Sequence, residues 1–262
     1  MGKTIAVSNM KGGVGKTMTA TSLAAGLVRQ GKSVLCIDAD PQHSLSVCLG
    51  ITTEVSSQSI TIRTIMSKII EEEHFNQDYG IFHHDDGFDI IPADKSLGSL
   101  EISLAGIIER ETILREYIDM VKLFYDYIII DCAPSLGLLT INALAAADEV
   151  IIPVIPRFLD AKGLELLLNS IARLQRNINP TLTISGILLT MVERRANFTK
   201  EIMSMLEGCY GEKIRIFNEV IPSSVRASES TYEGVSIFTY DPSGKLAKAY
   251  AALVREVLSD AA

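Results

Sequence analysis

Residues 11–17 read KGGVGKT, and they follow directly on the apolar run KTIAVSN at residues 3–9. A loop of small residues between a strand and a helix lets consecutive backbone N–H groups turn inward, where they bind phosphate oxygens together with the positive end of the helix. The usual loop is G-x-x-x-x-G-K-[ST], which places its first glycine where this chain has Met10. The stretch therefore predicts a phosphate-binding loop that lacks one glycine and carries an additional lysine, Lys11.

The end of this loop has the residues that a magnesium nucleotide requires. Lys16 is predicted to reach the β- and γ-phosphates, and the Thr17 hydroxyl is predicted to bind Mg²⁺. A glycine turn that only joins a strand to a helix would not need this Lys-Thr pair, so a nucleotide site is the preferred interpretation. The residues of the loop predicted to bind the nucleotide are Gly12, Gly13, Val14, Gly15, Lys16, Thr17 and Met18, and the role of Lys11 is left open at this point.

Three aspartates are predicted to complete the site. Mg²⁺ prefers oxygen ligands, and both Asp131, at the end of the apolar run YIIID, and Asp38, at the end of VLCID, are placed to support the metal. Asp40 precedes Pro41, which stops strand pairing, so Asp40 is predicted to project from a loop over the γ-phosphate and to orient the attacking water. For Asp40 the alternative interpretation is a carboxylate that only starts a turn before proline.

Short β-rich runs alternate with amphipathic stretches along the chain, a pattern typical of a parallel sheet with helices on both faces. The predicted strands are residues 3–9, 33–40, 88–94, 125–134, 149–155, 182–192 and 217–222. The predicted helices are residues 16–30, 97–123, 137–146, 160–177, 199–209 and 244–258. Residues 51–87 give no regular pattern, and their acidic run EEEHFNQD is interpreted as a solvated loop. We expect one α/β domain over residues 1–262, with a mostly parallel twisted sheet of the phosphate-loop NTPase type.

The composition is that of an ordinary globular protein, with 47% hydrophobic and 21% charged residues. No run of 18 apolar residues occurs, and the amino terminus enters a strand pattern without a signal sequence, so the expected location is the cytoplasm. Cys36, Cys48, Cys132 and Cys209 lack C-x-x-C spacing and are interpreted as reduced thiols. The net charge is −8, but residues 194–262 hold nine basic and nine acidic side chains, so any anion-binding face is expected there.

Several long motifs resemble the ParA/MinD family of deviant Walker-A ATPases, and within it the Soj-like ParA partition ATPases. The motifs stand in the family's order over nearly the whole chain. They are KGGVGKT at 11–17, DADPQ at 38–42, YDYIIIDCAPSLGLLTINALAAAD at 125–148, GILLTMVERRANFTKEI at 186–202, VIPSSVRASES at 220–230 and GVSIFTYDPSGKLAKAY at 234–250. The resemblance implies an ATPase that uses ATP and Mg²⁺.

The resemblance also assigns roles to the site residues. It implies that Lys11 is the signature lysine, which in an ATP-bound homodimer crosses to the phosphates of the partner's nucleotide. By the same resemblance Lys16 and Thr17 bind phosphate and Mg²⁺. Asp38 and Asp131 support the metal, as the strand ends also suggest. The catalytic set implied for hydrolysis is Lys11, Lys16 and Asp40.

The resemblance further implies that the ATP-bound dimer binds DNA without sequence preference and is then nucleoid-associated. A ParB-type centromere-binding partner would trigger hydrolysis, so that plasmid or chromosomal DNA is segregated. On the family's pattern the DNA contacts are Arg195 and Arg226, although a solvated surface position remains the alternative for each. Further candidates are Arg194, Lys200, Lys213 and Lys245. Non-specific binding needs only phosphate contacts and is strongly salt-dependent.

Other functions are weighed against partition. A MinD-like membrane switch ends in a basic amphipathic helix, whereas AYAALVREVLSDAA at the end of this chain favours a docked helix and no membrane. An iron–sulfur protein needs cysteine spacings that are absent here. A sequence-specific regulator would need a DNA-binding extension, for which the ten residues before the loop leave no room. Positioning of another cargo by the same dimer switch stays open, and Ser223-Ser224 after VIP departs from the chromosomal pattern, which leaves the partner open too.

Overall fold

The computed structural model describes residues 2–51, 60–156, 160–193, 196–211 and 214–259. Over these residues the chain forms seven strands and eleven helices. The strands are β1 Lys3–Val7, β2 Val34–Ala39, β3 Phe82–His83, β4 Asp89–Ile91, β5 Tyr127–Cys132, β6 Glu149–Val154 and β7 Thr183–Leu189. The helices are α1 Lys16–Val28, α2 Ser44–Cys48, α3 Ile62–Ile70, α4 Leu97–Leu104, α5 Ile113–Val121, α6 Leu138–Ala146, α7 Asp160–Asn177, α8 Ala196–Tyr210, α9 Arg226–Tyr232, α10 Ile237–Tyr240 and α11 Lys245–Ser259.

The strands form one sheet in the order β3-β4-β2-β5-β1-β6-β7. All neighbouring strands run parallel except β3 and β4 at one edge. The central strands read as continuous apolar runs because both faces of a parallel sheet are covered by helices. Helices α1 and α11 pack on one face, while α3, α5, α6 and α7 pack on the other. The predicted α/β class and mostly parallel sheet are therefore confirmed.

The order of the strands determines where a ligand can bind. Strands β1 and β5 are neighbours, but the chain leaves β1 through α1 toward β2 and leaves β5 through α6 toward β6. The two connections lie on opposite faces of the sheet, so a crevice opens between them at the carboxyl ends of the strands. The loop at residues 8–15 follows β1 into this crevice.

The strand predicted at residues 217–222 is wrong, because the structure has no regular strand there. The backbone of these residues pairs with β7 only intermittently, for example from Phe217 N to Ile187 O at 3.0 Å and from Ile221 N to Leu189 O at 2.8 Å. Between these points the Glu256 carboxylate accepts hydrogen bonds from the N–H groups of Asn218 and Glu219, at 3.1 and 2.8 Å. A side chain of α11 has therefore taken the place of the neighbouring strand.

The predicted helix at 97–123 is two helices, α4 and α5, separated by an irregular turn. Asn142 holds this turn, because its side-chain amide donates to Arg110 O at 2.7 Å and its oxygen accepts from Leu114 N at 3.1 Å.

Residues 51–87 are more regular than expected, since α3 lies within them and buries Ile62, Ile65 and Met66. The short helices α2, α9 and α10 were not predicted either. The acidic residues 71–73 are exposed, in agreement with a solvated loop.

Helix α1 approaches α11 closely at a glycine. A Cβ atom at Gly26 would lie 2.6 Å from Val254 Cγ2 and 3.1 Å from Phe238 Cε2, both of which belong to buried side chains. At Gly163 in α7, by contrast, no heavy atom lies within 4 Å of such a Cβ. The two helical glycines therefore differ in the space around them.

We expect Gly26→Ala to lower the free energy of unfolding by about 1–3 kcal/mol, because overpacking outweighs the better helix propensity of alanine. Gly163→Ala is the matched control, and its free energy of unfolding should rise by up to about 1 kcal/mol. Urea unfolding followed by circular dichroism measures both. Equal effects of the two substitutions would contradict the close packing of α1 on α11.

Candidate functional site

The loop after β1 has the backbone geometry of an anion-binding loop. Gly13 and Gly15 adopt φ of 72° and 84°, in the left-handed region that glycine enters without a steric penalty. Gly15 is the N-cap of α1, and no side chain caps this helix start. The first N–H groups of α1 are thus available to an anion, at the positive end of the helix.

The two lysines of the loop occupy different environments. Lys16 is buried inside the loop, where its Nζ donates to Lys11 O at 3.0 Å. Burial lowers the pKa of Lys16, and the nearby Asp131 carboxylate opposes that shift. Lys11 has an exposed side chain on the outer part of the loop, and its backbone N–H is held by Asn9 Oδ1 at 3.0 Å. One lysine is therefore placed for the loop's own ligand, and the other faces outward.

Asp38 and Asp131 lie side by side at the ends of β2 and β5, where they are direct partners in the strand register. Their exposed fractions are 0% and 1%. The Thr17 hydroxyl donates to Asp131 Oδ2 at 2.7 Å, whereas Asp131 Oδ1 is buried without a hydrogen-bond partner in the described part of the chain. Burial and the charge of Asp38 raise the pKa of Asp131. A buried, unsatisfied carboxylate oxygen beside a threonine hydroxyl is the donor set that a hard cation such as Mg²⁺ prefers.

Asp38 supports the neighbouring loop more directly than it faces the crevice. Its Oδ2 accepts from Ser46 N at 2.9 Å and from Ser46 Oγ at 2.8 Å, and its Oδ1 accepts from Asp40 N at 3.2 Å. Burial raises the pKa of Asp38 to about 6, although the hydrogen bonds from Ser46 and Asp40 act against that increase. A direct role of Asp38 at the metal stays a prediction. The sequence analysis did not identify Ser46, and no spacing rule marked it.

The structure supports the turn interpretation of Asp40, and its role in hydrolysis stays a prediction. Its Oδ1 accepts from Gln42 N at 2.9 Å, so it does start the turn at Pro41. Its side chain also lines the cavity beside the phosphate loop. The turn fixes the carboxylate at the edge of that cavity.

The cavity beside the loop has a volume of about 360 Å³. It is lined by Gly12, Gly13, Gly15, Lys16, Thr17, Met18, Thr21, Asp40, Gln42, Ser44, Cys48, Pro134, Met191, Ser230, Thr231, Val235, Ser236 and Ile237. The sequence analysis missed the lining residues beyond Asp40. Among them, Gln42, Pro134 and Met191 had a usable signal, because they follow β2, β5 and β7 at the carboxyl edge of the sheet, where ligands bind. Thr190 beside it braces the loop, since its Oγ1 donates to Val14 O at 2.8 Å.

The candidate DNA contacts are described only in part. Arg226 is the first residue of α9, with half of its side chain exposed, and it pairs with Glu229 Oε2 at 2.8 Å. Lys245 is exposed at the start of α11. The remaining candidates lie outside the described positions, either entirely or in their side chains; they are Arg194, Arg195, Lys200 and Lys213.

Two further observations concern the alternative functions. In the described part of the chain, no group of three or more His, Cys, Asp or Glu side chains is arranged to hold a metal ion. Cys36 and Cys132 are buried, Cys48 is half-buried and Cys209 is exposed, and all four are free thiols. None of the helices in the described ranges has the length and apolar character of a bilayer-spanning segment.

The sheet order and the loop geometry define a phosphate-loop NTPase, and comparisons with known proteins narrow the class. The model of a family described as an AAA domain matches residues 2–184. Sporulation initiation inhibitor protein Soj of Bacillus subtilis is 40% identical over 260 residues, which cover 99% of this chain and all of the relative. Chromosome partitioning protein ParA of Caulobacter vibrioides is 37% identical and covers 98% of this chain and 94% of its own.

Comparison with solved structures also gives the fold of a phosphate-loop NTPase. A cobyrinic acid a,c-diamide synthase from Mycobacterium smegmatis, with bound ATP analogue and magnesium, has a TM-score of 0.84 at 28% identity and covers 98% of this chain and 95% of its own. The septum site-determining protein MinD of Pyrococcus horikoshii, complexed with Mg-ADP, shares the fold with a TM-score of 0.75, over 100% of this chain and 98% of its own. The chain belongs to the ParA/MinD family of deviant Walker-A ATPases, among its Soj-like members.

We expect the buried acids to destabilise the protein when no cation is bound. Asp131→Asn keeps an oxygen for the Thr17 hydroxyl and removes a charge beside Asp38, so at pH 7.5 its free energy of unfolding should exceed that of the wild type by about 1–2 kcal/mol.

The stability difference between Asp131→Asn and the wild type should change with pH in one direction. Because folding raises the pKa of both acids, that of Asp38 to about 6, the folded state binds protons more tightly, and the destabilisation that these groups cause decreases as the pH falls from neutral toward their unfolded pKa values. The advantage of Asp131→Asn should therefore shrink at pH 5.5. Urea unfolding of both proteins at the two pH values measures this difference. A variant that is less stable than the wild type at both values would contradict it.

Proposed function

We propose that the chain is a ParA-like partition ATPase. It binds ATP with Mg²⁺, hydrolyses it slowly, and forms an ATP-bound homodimer that binds DNA without sequence preference. A ParB-type DNA-binding protein stimulates hydrolysis and thereby segregates plasmid or chromosomal DNA. The observation that carries the proposal is the pair of lysines in one loop, with Lys16 buried inside and Lys11 exposed outside.

The first step of the proposal is the nucleotide. The inward backbone of residues 12–15 and the uncapped start of α1 fit the phosphates, and Lys16 neutralises their charge. Thr17 and Asp131 are the residues that would hold Mg²⁺, which would balance charge on the transferring phosphate. The ATP analogue or ADP with magnesium in the similar structures supports this reading. Met18, Gln42 and Met191 border the remainder of the cavity.

The second step is the dimer. Lys16 already supplies the internal cation of the loop, so Lys11 has no equivalent role on its own nucleotide. From its exposed position it can meet the phosphates bound by a second copy whose loop faces this one. A cation delivered from the other chain stabilises the charge on the transferring phosphate and makes hydrolysis depend on dimer formation. Asp40 orients the attacking water from the edge of the cavity.

The third step is DNA. Arg226 on α9 and Arg195 supply phosphate contacts that a dimer doubles, which compensates for the acidic net charge of the chain. Arg226 pairs with Glu229, and such an exposed ion pair is weak enough for a DNA phosphate to compete with it. The contacts carry no sequence information, in keeping with non-specific binding. The relatives named for chromosome partitioning support this assignment.

Lys11→Ala tests the dimer step. ATP affinity, measured by titration with a fluorescent ATP analogue, should stay within about threefold of the wild type, since Lys16 is retained. ATP-dependent dimerisation, measured by light scattering, and phosphate release should each fall by about tenfold or more, because the second copy loses a cation at the transferring phosphate.

Lys95→Ala is the matched control, because Lys95 is an exposed lysine after β4 at the same sheet edge. It should behave as the wild type does. If Lys11→Ala dimerises and turns over like the wild type, the role of Lys11 across the interface is wrong.

Arg226→Glu tests the DNA step. Retention of double-stranded DNA in the presence of ATP should fall by about tenfold or more, and the salt dependence of the remaining binding should be shallower, because phosphate contacts are lost. Nucleotide affinity should be unchanged. Arg63→Glu on α3 gives the same charge change at another exposed position and serves as control. Undiminished DNA retention by Arg226→Glu would place the DNA-binding face elsewhere.

A further inference from the structure

The cavity beside the phosphate loop has an outer wall that comes from late in the chain. This wall is formed by residues 230–237 and includes Val235, Ser236 and Ile237. Ile237 is fully buried and anchors one end of the wall in the core. Within the wall, Gly234 has φ of +71°, and a Cβ there would lie 3.1 Å from Gly50 Cα, so backbone packs on backbone at that point. Polar contacts from another part of the chain also hold the wall.

Those contacts come from a turn about 150 residues earlier, at residues 84–87. Asp86 Oδ2 accepts from Ser236 N at 2.7 Å, and Asp86 Oδ1 accepts from the Thr239 hydroxyl. The Asp86 side chain is only 5% exposed. Ser236 is the N-cap of α10, yet its own hydroxyl is buried without a hydrogen-bond partner in the described ranges. Asp86 therefore holds both the backbone of the N-cap residue and a side chain in the first turn of α10.

His84 adds a contact from the same turn. Asp86 N donates to His84 Nδ1 at 3.1 Å, so Nδ1 is the acceptor and the proton of the neutral ring belongs on Nε2. His84 Nε2 then donates to Gly234 O at 3.3 Å. The ring stacks on Phe88 at 5.0 Å between centroids, which fixes its plane. The turn at 84–87 therefore contacts the wall at Gly234 and Ser236, and it contacts α10 just beyond the wall at Thr239.

We propose that Asp86 is a positioning residue for nucleotide binding, which holds the wall at residues 230–237 against the cavity. The proposal rests on the proposed function in one respect, namely that the cavity binds a nucleotide. Asp86 itself lines no part of the cavity and acts through Ser236. Loss of its contacts should let the wall move outward, which weakens nucleotide binding and opens the cavity to solvent.

The chemical reactivity of the Cys48 thiol measures directly whether the wall has moved away from the cavity. Cys48 lines the same cavity and is half-buried, whereas Cys36 and Cys132 lie in the core with exposed fractions of 0% and 1%. In a Cys209→Ser background, which removes the exposed thiol, reaction with 5,5′-dithiobis(2-nitrobenzoic acid) distinguishes local opening at Cys48 from general unfolding at the two core thiols. This measurement does not require that ATP binds.

The test compares Asp86→Asn with Asp85→Asn in that background. Asp85 is exposed on the same turn, so the control makes the same charge change without touching the wall. Asp86→Asn should raise the rate of Cys48 modification by about fivefold or more while Cys36 and Cys132 stay unreactive, because an asparagine cannot accept both hydrogen bonds. It should also raise the Kd and KM for Mg·ATP by about fivefold or more, with kcat changed less than about twofold. Asp85→Asn should match its parent.

Each outcome bears on one of the two claims. Failure of the parent protein to bind ATP would refute the proposed function and leave the Cys48 measurement to test Asp86. The inference is overturned if Asp86→Asn matches Asp85→Asn in Cys48 reactivity, or if the core thiols become reactive in parallel, which would indicate only a structural role. Should Asp86→Asn fail to fold, Thr239→Val removes one of the two contacts. An increase of Cys48 reactivity in that variant supports the inference, and parental reactivity overturns it.

Discussion

Two carboxylates meet at the centre of the sheet with almost no access to water, because Asp38 and Asp131 are register partners on adjacent buried strands. Burial raises the pKa of both carboxyl groups, and the charge of Asp38 raises that of Asp131 further, so the ionised pair costs folding free energy. The described structure offsets that cost with the Ser46 and Thr17 hydroxyls and with the buried ammonium of Lys16 nearby. What remains unsatisfied is Asp131 Oδ1, and a cation there would complete the arrangement. The start of α1, the Asp40 turn and the start of α2 all form hydrogen bonds to this pair.

The same pair connects the site to the surface. Asp38 fixes the backbone of Asp40 and the start of α2. The end of α2 touches the wall of the cavity at Gly234, and α9 and α10 continue from that wall. Tyr240 at the end of α10 donates to Glu229, which also pairs with Arg226. In our proposal, the wall that borders the nucleotide is therefore connected, through packed and hydrogen-bonded groups, to the helix that carries a DNA contact.

Much of the fold could be predicted because its signals are local. The apolar runs of β1, β2 and β5, the glycine loop and the lysine-threonine pair each lie within a few residues, and their order determines a parallel sheet with a phosphate site at its edge. The errors occurred where distant side chains decide the structure. Glu256 replaces a strand at residues 217–222, and Asn142 divides the helix predicted at 97–123. No pattern near residue 236 shows that its N–H donates to Asp86, 150 positions away.

The central claim is that ATP joins two copies through Lys11, and the most direct measurement is the mass in solution of an Asp40→Ala variant, which we propose is unable to complete hydrolysis. Light scattering with Mg·ATP should give the mass of two chains, and with Mg·ADP the mass of one. Adding Lys11→Ala to the same variant should return the mass with Mg·ATP to one chain. An Asp40→Ala protein with the same mass in both nucleotides, or a dimer that persists without the Lys11 side chain, would contradict the account.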